Sequence, residues 1–319
     1  MSDLSGAARP AGSQSSQAGT GAGYSVGMQA GDTPLVRELA DGDLRGALAL
    51  STSAGWNQQL DDWRMLRTLS APARFAAVAH DRIVGTALAI DYGAFAWIAM
   101  MLVEPAARGR GLGARLLEAA LRAVPSGRPV RLDATPAGRP LYQRHGFEDE
   151  ARLTRLIVPR APAPVAERLP TSRAMTTTDL PRVSCHDAAA FGGNREKILA
   201  WARERAPQSA RILDGAEGPP QYTFGRPGRL FDQIGPVIAC DDRGARALVA
   251  AALAFADGRS VVIDAFDAER EFIDWLRACG FAGERPLYRM RRSPATVSAA
   301  GTAQAASSRE FAIFGPDFA

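Results

Sequence analysis

From residue 34 onward the apolar positions follow two periods in turn. Leu35-Val36-Arg37-Glu38-Leu39 reads as a strand, and Asp43 then caps a helix carrying Leu44, Ala47, Leu48 and Leu50. The loop Ala54-Gly55-Trp56-Asn57-Gln58 leads to a second helix with Leu60, Trp63, Leu66 and Leu69. Three strands follow near 73–80, 83–91 and 94–103, with turns at Asp81-Arg82 and Asp91-Tyr92-Gly93. Over 108–124, Leu112, Leu116, Leu117, Ala120, Leu121 and Val124 fall on one helical face. A short strand (130–133), a short helix (137–145) stopped by Gly146, and a last strand (151–158) complete the unit.

The same order then begins again. Arg173…Asp179-Leu180 echoes Arg37…Asp43-Leu44, and Ala247-Leu248-Val249…Leu253 echoes Arg115-Leu116-Leu117…Leu121. Val261-Val262-Ile263-Asp264-Ala265 echoes Val130-Arg131-Leu132-Asp133-Ala134, and Gly280-Phe281 echoes Gly146-Phe147. Four matches in one order at offsets of 131 to 136 residues indicate two copies of one unit. The expected organisation is α/β, with a mixed α+β sheet in each of two tandem domains, at 34–160 and 170–292. Residues 1–33, nearly free of large apolar side chains, are expected to be disordered, as they cannot offset their ordering entropy. A Pro-rich linker covers 161–169 and a flexible Ala/Ser/Thr-rich one 293–310. The apolar segment 311–319, with Phe311, Phe314 and Phe318, is expected to dock back on the fold.

Composition narrows the function. Hydrophobic residues make up 46% and charged residues 23%, as in ordinary globular proteins. The 38 basic residues barely exceed the 34 acidic ones, and Lys197 is the one lysine, so no basic stripe marks a nucleic-acid binder. Cys185, Cys240 and Cys279 are widely spaced, which argues for thiols and against a metal site. Cys185-His186-Asp187 reads as a buried thiol beside a loop histidine, not as a triad. The N-terminus has no signal-peptide pattern, and the apolar run 83–103 is broken by Asp91 and Gly93. A soluble, cytoplasmic protein without membrane contact is expected, and its oligomeric state is left open.

The chemical signal is Val103-Glu104-Pro105-Ala106-Ala107-Arg108-Gly109-Arg110-Gly111-Leu112-Gly113. A strand ends, a loop turns, and glycines open an amphipathic helix. The first N–H groups of a helix lack internal partners and sit at the positive end of its dipole, so they suit a phosphate. Each glycine weakens a helix start by about 0.5–1 kcal/mol relative to Ala, which packing alone does not call for. The alternative is a Gly-rich loop with Arg108 and Arg110 in solvent. Gly109-x-Gly111-x-x-Ala114, with Asp133 closing the next strand, also fits a dinucleotide fingerprint, which would make the chain an oxidoreductase. Against that reading, residues 104–108 separate the strand from the glycines.

Arg108-x-x-Gly111-x-Gly113 after Leu102-Val103-Glu104-Pro105 resembles motif A of the GNAT superfamily of acyl-CoA-dependent N-acyltransferases. Leu141-Tyr142-Gln143-Arg144-His145-Gly146-Phe147 resembles the helix and Gly-Phe of its motif B. Gly55-Trp56-Asn57-Gln58, the run 132–140 and the repeated half are similar to bacterial tandem-GNAT proteins. The resemblance implies transfer of an acetyl group from acetyl-CoA, as cosubstrate, to the amine of a small-molecule or peptide acceptor. It implies that the backbone of Arg108, Gly109, Arg110, Gly111, Leu112 and Gly113 cradles the CoA pyrophosphate, and that Leu102 and Val103 pair with the pantetheine amides. Thr135 stands where many relatives carry Asn. Tyr142 matches the general acid: a phenol near the sulfur can protonate the departing thiolate. Trp56, Asn57 and Gln58 would border the acceptor, or merely anchor a loop. The fourth strand carries no acid. Asp91, Glu104, Asp133 or a water chain are open as base, and none is assigned. An acyl-CoA sensor without turnover is the second reading.

The second copy carries Cys240, Arg243 and Ala245 where the first has Arg108, Gly111 and Gly113, and Leu276 where the first has Tyr142. It is expected neither to bind CoA in the usual way nor to catalyse.

Overall fold

The computed structural model describes residues 33–162, 168–213, 218–256, 258–294 and 309–319. The expected disorder over 1–32 and most of both expected linkers lie outside these residues. The first unit runs β1 (Leu35–Glu38), α1 (Leu44–Ser53), α2 (Leu60–Leu69), β2 (Arg74–Ala79), β3 (Arg82–Asp91), β4 (Ala96–Val103), α3 (Leu112–Ala123), β5 (Val130–Ala134), α4 (Arg139–Arg144) and β6 (Glu148–Val158). The second repeats it: β7 (Arg173–Ala174), α5 (Leu180–Phe191), α6 (Glu196–Arg205), β8 (Arg211–Leu213), β9 (Gln221–Arg226), β10 (Asp232–Ala239), α7 (Asp242–Leu253), β11 (Val261–Phe266), α8 (Arg270–Ala278) and β12 (Ala282–Arg292). A terminal strand β13 (Arg309–Ala312) follows, beginning two residues inside the segment expected to be flexible.

The repetition reaches individual contacts. Arg37 grips Asp43 at 2.6 and 2.9 Å, and Arg173 grips Asp179 at 2.7 Å through both oxygens. Asp43 holds the N-cap position of α1, but its side chain makes no cap bond to that helix; it accepts instead from the backbone N–H of Ala40, three residues earlier, as Asp179 at the start of α5 does from that of Thr176. Both units also carry a bulge in the central strand. Between Ala99 and Leu102, β4 spends one residue more than β3, with Met100 at φ +51°. Between Ile234 and Val237, β10 does the same against β9. Beyond the bulge the strand leans away from its parallel neighbour. β4 meets β5 only at Ala96↔Val130 and Trp97↔Arg131, and β10 meets β11 only at Asp232↔Val261 and Gln233↔Val262.

The two units do not stand side by side as separate sheets. Among the described residues they share one 13-stranded sheet, ordered β1-β2-β3-β4-β5-β12-β6-β11-β13-β10-β9-β8-β7. Each unit thus completes the other: β12 pairs with β5, and β6 pairs with β11. Helix α3 lays Leu112, Leu116, Leu117 and Ala120 on the first half of the sheet. Full burial of each leucine contributes about 1.5–3 kcal/mol. The segment 108–111, expected as the start of this helix, is a loop instead, because Gly109 (φ +77°) and Gly111 (φ +74°) are left-handed. Two of the three glycines therefore have a backbone reason to be glycine. Cys185-His186-Asp187 lie within α5, not in a loop, and Cys185 is exposed rather than buried. Asp187 is buried and bonded to Arg195 and Tyr222.

The segment 311–319 docks, with Phe311, Phe314 and Phe318 fully buried. β13 lies between β10 and β11, in the gap that their divergence opens. Gly235, at the bulge, lets it approach: a Cβ there would collide with the Ile313 carbonyl. Beyond β13 the chain crosses towards the first unit. Trp97 Nε1 donates to the Pro316 carbonyl at 3.1 Å and the Tyr92 hydroxyl to that of Phe318 at 2.7 Å.

Candidate active site

In the first unit, no strand among the described residues fills the equivalent gap. A cavity of about 230 Å³ opens there, between the two units. One wall is β4 from Ile98 to Met101 together with Leu132, Asp133 and Thr135 around β5. Trp56, Asn57 and Gln58 close one side, and Tyr142 of α4 reaches in. The second unit supplies Arg226, Phe231, Gln233, Glu284, Arg285 and Leu287, and the terminal segment supplies Pro316 and Asp317. So the structure brings Tyr142, Thr135 and the 56–58 loop to one space. Leu102, Val103 and the glycine loop lie outside its lining.

Tyr142 is 8% exposed and packs edge-on against Phe147. Burial pushes its phenol above the ordinary tyrosine value, so it is protonated at neutral pH. Its helix is short because Gly146 (φ +79°) ends it, and the N–H of Phe147 closes on the Tyr142 carbonyl at 3.1 Å. Thr135 accepts from the N–H of Gly138 at 3.2 Å, which positions the start of the same helix. The second unit closes its helix in the same way, with Phe281 N–H on the Leu276 carbonyl at 3.1 Å, but Leu276 offers no proton.

At α3 no side chain of the described residues caps the N-terminus, since Gly111 holds that position. The first N–H groups of a twelve-residue helix are thereby left to a ligand or to water. Arg108 folds back, its Nε donating to the Val103 carbonyl at 2.9 Å, while Gly109, Arg110 and Gly111 are exposed. Leu112 is buried, so only its backbone is available to a ligand. Gly113 has ordinary space for a Cβ, its nearest neighbour being Leu141 at 3.5 Å. The corresponding end of α7 is self-satisfied. Asp241 accepts from the Gly244 N–H at 2.7 Å, and the Gln221 side chain accepts from the Cys240 N–H at 3.0 Å. A carboxylate of the chain thus sits where the first unit leaves room for an anion.

The three carboxylates open as base are all engaged. Asp91 accepts from the Gly93 N–H at 2.9 Å within a turn, and Glu104 pairs with Arg82 at 2.9 Å. Asp133 is gripped by Arg289 at 3.0 Å through both oxygens, inside the sheet. This also removes it as a ribose-binding acid. Asn57 is committed to the second unit: its Oδ1 accepts from the Leu230 N–H at 2.8 Å and its Nδ2 donates to the Phe231 carbonyl at 2.9 Å. Gln58 donates to Asp317 Oδ2 at 2.9 Å. Asp317 is in turn held by Arg226, which lies 3.2 Å from Asp62. The cavity residues that the first unit's sequence cannot reveal are Glu284, Arg285 and Asp317, since their place depends on the exchanged strand and the returning terminus.

The family described as acetyltransferase (GNAT) domain matches residues 72–149, and a second family of the same description matches 183–303. An uncharacterized N-acetyltransferase of Bacillus subtilis, YitH, is 28% identical over 166 residues, 51% of this chain and 57% of that protein. The match therefore spans little more than half of the relative. A putative acetyltransferase from Pyrococcus horikoshii superposes with a TM-score of 0.69 at 21% identity, covering 90% of this chain and 96% of that one. A tandem GNAT protein from the clavulanic acid biosynthesis pathway gives a TM-score of 0.55 at 16% identity, covering 83% and 100%. Together with the doubled architecture, the two matched regions make this chain a member of the GNAT family of N-acetyltransferases, with two of its domains in tandem.

Proposed function

We propose that the first domain transfers an acetyl group from acetyl-CoA to the amine of a small acceptor, in a ternary complex. The observation that carries this is the asymmetry of the two gaps. The gap between β4 and β5 is open, with an uncapped helix end and a buried tyrosine, whereas β13 fills the gap between β10 and β11. In this reading the backbone of residues 108–113 binds the pyrophosphate, and the strands around the opening hold the pantetheine arm. The amine nitrogen attacks the thioester carbonyl carbon, the C–S bond breaks, the thiolate takes the Tyr142 proton, and the nitrogen gives up one proton to water, through which the Tyr142 phenol is restored. The second domain walls the acceptor space and binds no CoA.

Calorimetry with acetyl-CoA is the direct test. One site per chain is expected, abolished in Gly111→Glu, with no binding of NADH. Two sites, or none, would overturn the assignment. The sensor reading draws on the engagement of Asp91, Glu104 and Asp133, and it differs from catalysis in that Tyr142→Phe would then change nothing.

A further inference from the structure

A row of three side chains crosses the sheet beside the cavity. Asp264 on β11 stands in register with Arg155 on β6, and Arg155 with Arg285 on β12. Arg155 donates to both oxygens of Asp264, at 2.7 and 2.8 Å, and this pair is buried and complete. Arg285 is left opposite a second guanidinium. Like charges directly opposed across an antiparallel pair destabilise it. Burial first, and then Arg155, hold the Arg285 guanidinium below its usual value. Its Nε is buried without a hydrogen-bond partner. Glu284 pairs with it at 3.9 Å, an ion-pair distance beyond hydrogen-bond reach. The register of β12 slips between Gly283 and Arg285, and both Glu284 and Arg285 line the cavity. The Arg285 side chain is 35% exposed, and among the described residues Glu284 is its ion-pair partner.

A second unmet group lines the same cavity. Gln58 is 8% exposed, and its amide orientation is fixed because the nitrogen must face the carboxylate of Asp317. Its Oε1 is therefore turned elsewhere, buried and without a donor. A buried polar atom left unpaired carries a desolvation cost that a ligand group can recover. Among the described residues, the cavity lining thus includes a guanidinium N–H without a hydrogen-bond acceptor and an amide oxygen without a donor.

We propose that the acceptor carries a carboxylate beside its amine, as an amino acid or a close analogue does. The carboxylate is held by Arg285 at the edge shared with Arg155, and the nitrogen faces Gln58 Oε1, with Glu284 alongside. This rests on the acetyltransferase reading and names its substrate class. A cavity of about 230 Å³ suits a molecule of that size and not a folded protein.

The test uses product mimics, so that it does not depend on turnover. N-acetyl forms of the common amino acids and their N-methylamides are titrated into the full chain by calorimetry, with and without CoA. At least one acid is expected to bind, with its methylamide weaker by about tenfold or more. Arg285→Gln is expected to weaken the acid by at least about tenfold, while CoA binding and the melting temperature are retained. A fall in melting temperature with no change in acid binding would mark Arg285 as structural and overturn the proposal. So would methylamides that bind as tightly as the acids, or the failure of every acid to bind. A wild-type chain that binds no CoA would sink the acetyltransferase reading instead, and the titrations without CoA would still report on the carboxylate.

Discussion

Arg226 holds Asp317 through both carboxylate oxygens, at 2.7 and 2.8 Å, and both residues are almost wholly buried. The pair fastens the terminal segment across the cavity, with Asp62 of the first unit 3.2 Å from the same guanidinium. Removing one partner of a buried ion pair leaves the other charge uncompensated and costs about 3–5 kcal/mol. Asp317→Ala should lie near the lower end, about 3 kcal/mol, because Asp62 remains. The shift of the urea midpoint reads it. Limited proteolysis should then cut the chain after β13 more readily than in the wild type.

Tyr142→Phe removes the hydroxyl proposed as proton donor and leaves the ring packed on Phe147. The turnover number should fall by about 10²–10⁴-fold while acetyl-CoA affinity is unchanged. The acid must be protonated to act, and burial raises the pKa of this phenol. The rate should therefore show no decline from its titration as the pH rises to about 10, the ordinary tyrosine value. A pH–rate profile and calorimetry on the same variant check both halves.

Gly111 and Gly113 should separate on substitution. Gly111 is left-handed, so Gly111→Ala should cost about 1–2 kcal/mol in stability. It should also weaken acetyl-CoA binding, since the loop then turns differently. Gly113 lies in the first turn of α3 with ordinary contacts around the added carbon. Gly113→Ala should leave stability equal or raise it by up to about 1 kcal/mol. Thermal melts of the two variants give the contrast.

Asp43 and Asp179 are held below the usual carboxylate range, first of all by the hydrogen bonds from Arg37 and Arg173. As the pH falls below about 4 the unfolded chain takes up protons before these folded-state groups do. Their contribution is complete above that pH and is lost as the pH falls through the depressed folded-state values. Asp179→Asn should flatten the melting temperature against pH below 4 relative to the wild type, and lower it at neutral pH.

The repeat was legible because local chemistry was copied with it. Arg37 and Asp43 need each other at six residues' spacing, as do Arg173 and Asp179, and Gly146 and Gly280 end equivalent helices. The glycine loop was legible as an exposed turn before a helix, although periodicity placed the helix start too early, because apolar spacing does not register a left-handed backbone. What the sequence concealed was partnership. β6 and β12 have similar patterns, and either could border β5 on alternation alone. With that choice hidden, Glu284 and Arg285 could not be placed beside Tyr142. Asn57 and Gln58 showed the same limit: side by side in one loop, one is spent on the 230–231 backbone and the other faces the cavity.

The exchange of β6 and β12 also sets how this chain must fold. Asp133 meets Arg289 from 156 residues away, and every hydrogen bond on that side of β5 waits for the last strand of the second unit. Pairings this distant in sequence are slow to form. The first unit cannot finish its sheet while the second is still being synthesised, and neither half is a complete body if the chain is cut between them. The second copy is thus part of the first copy's own architecture.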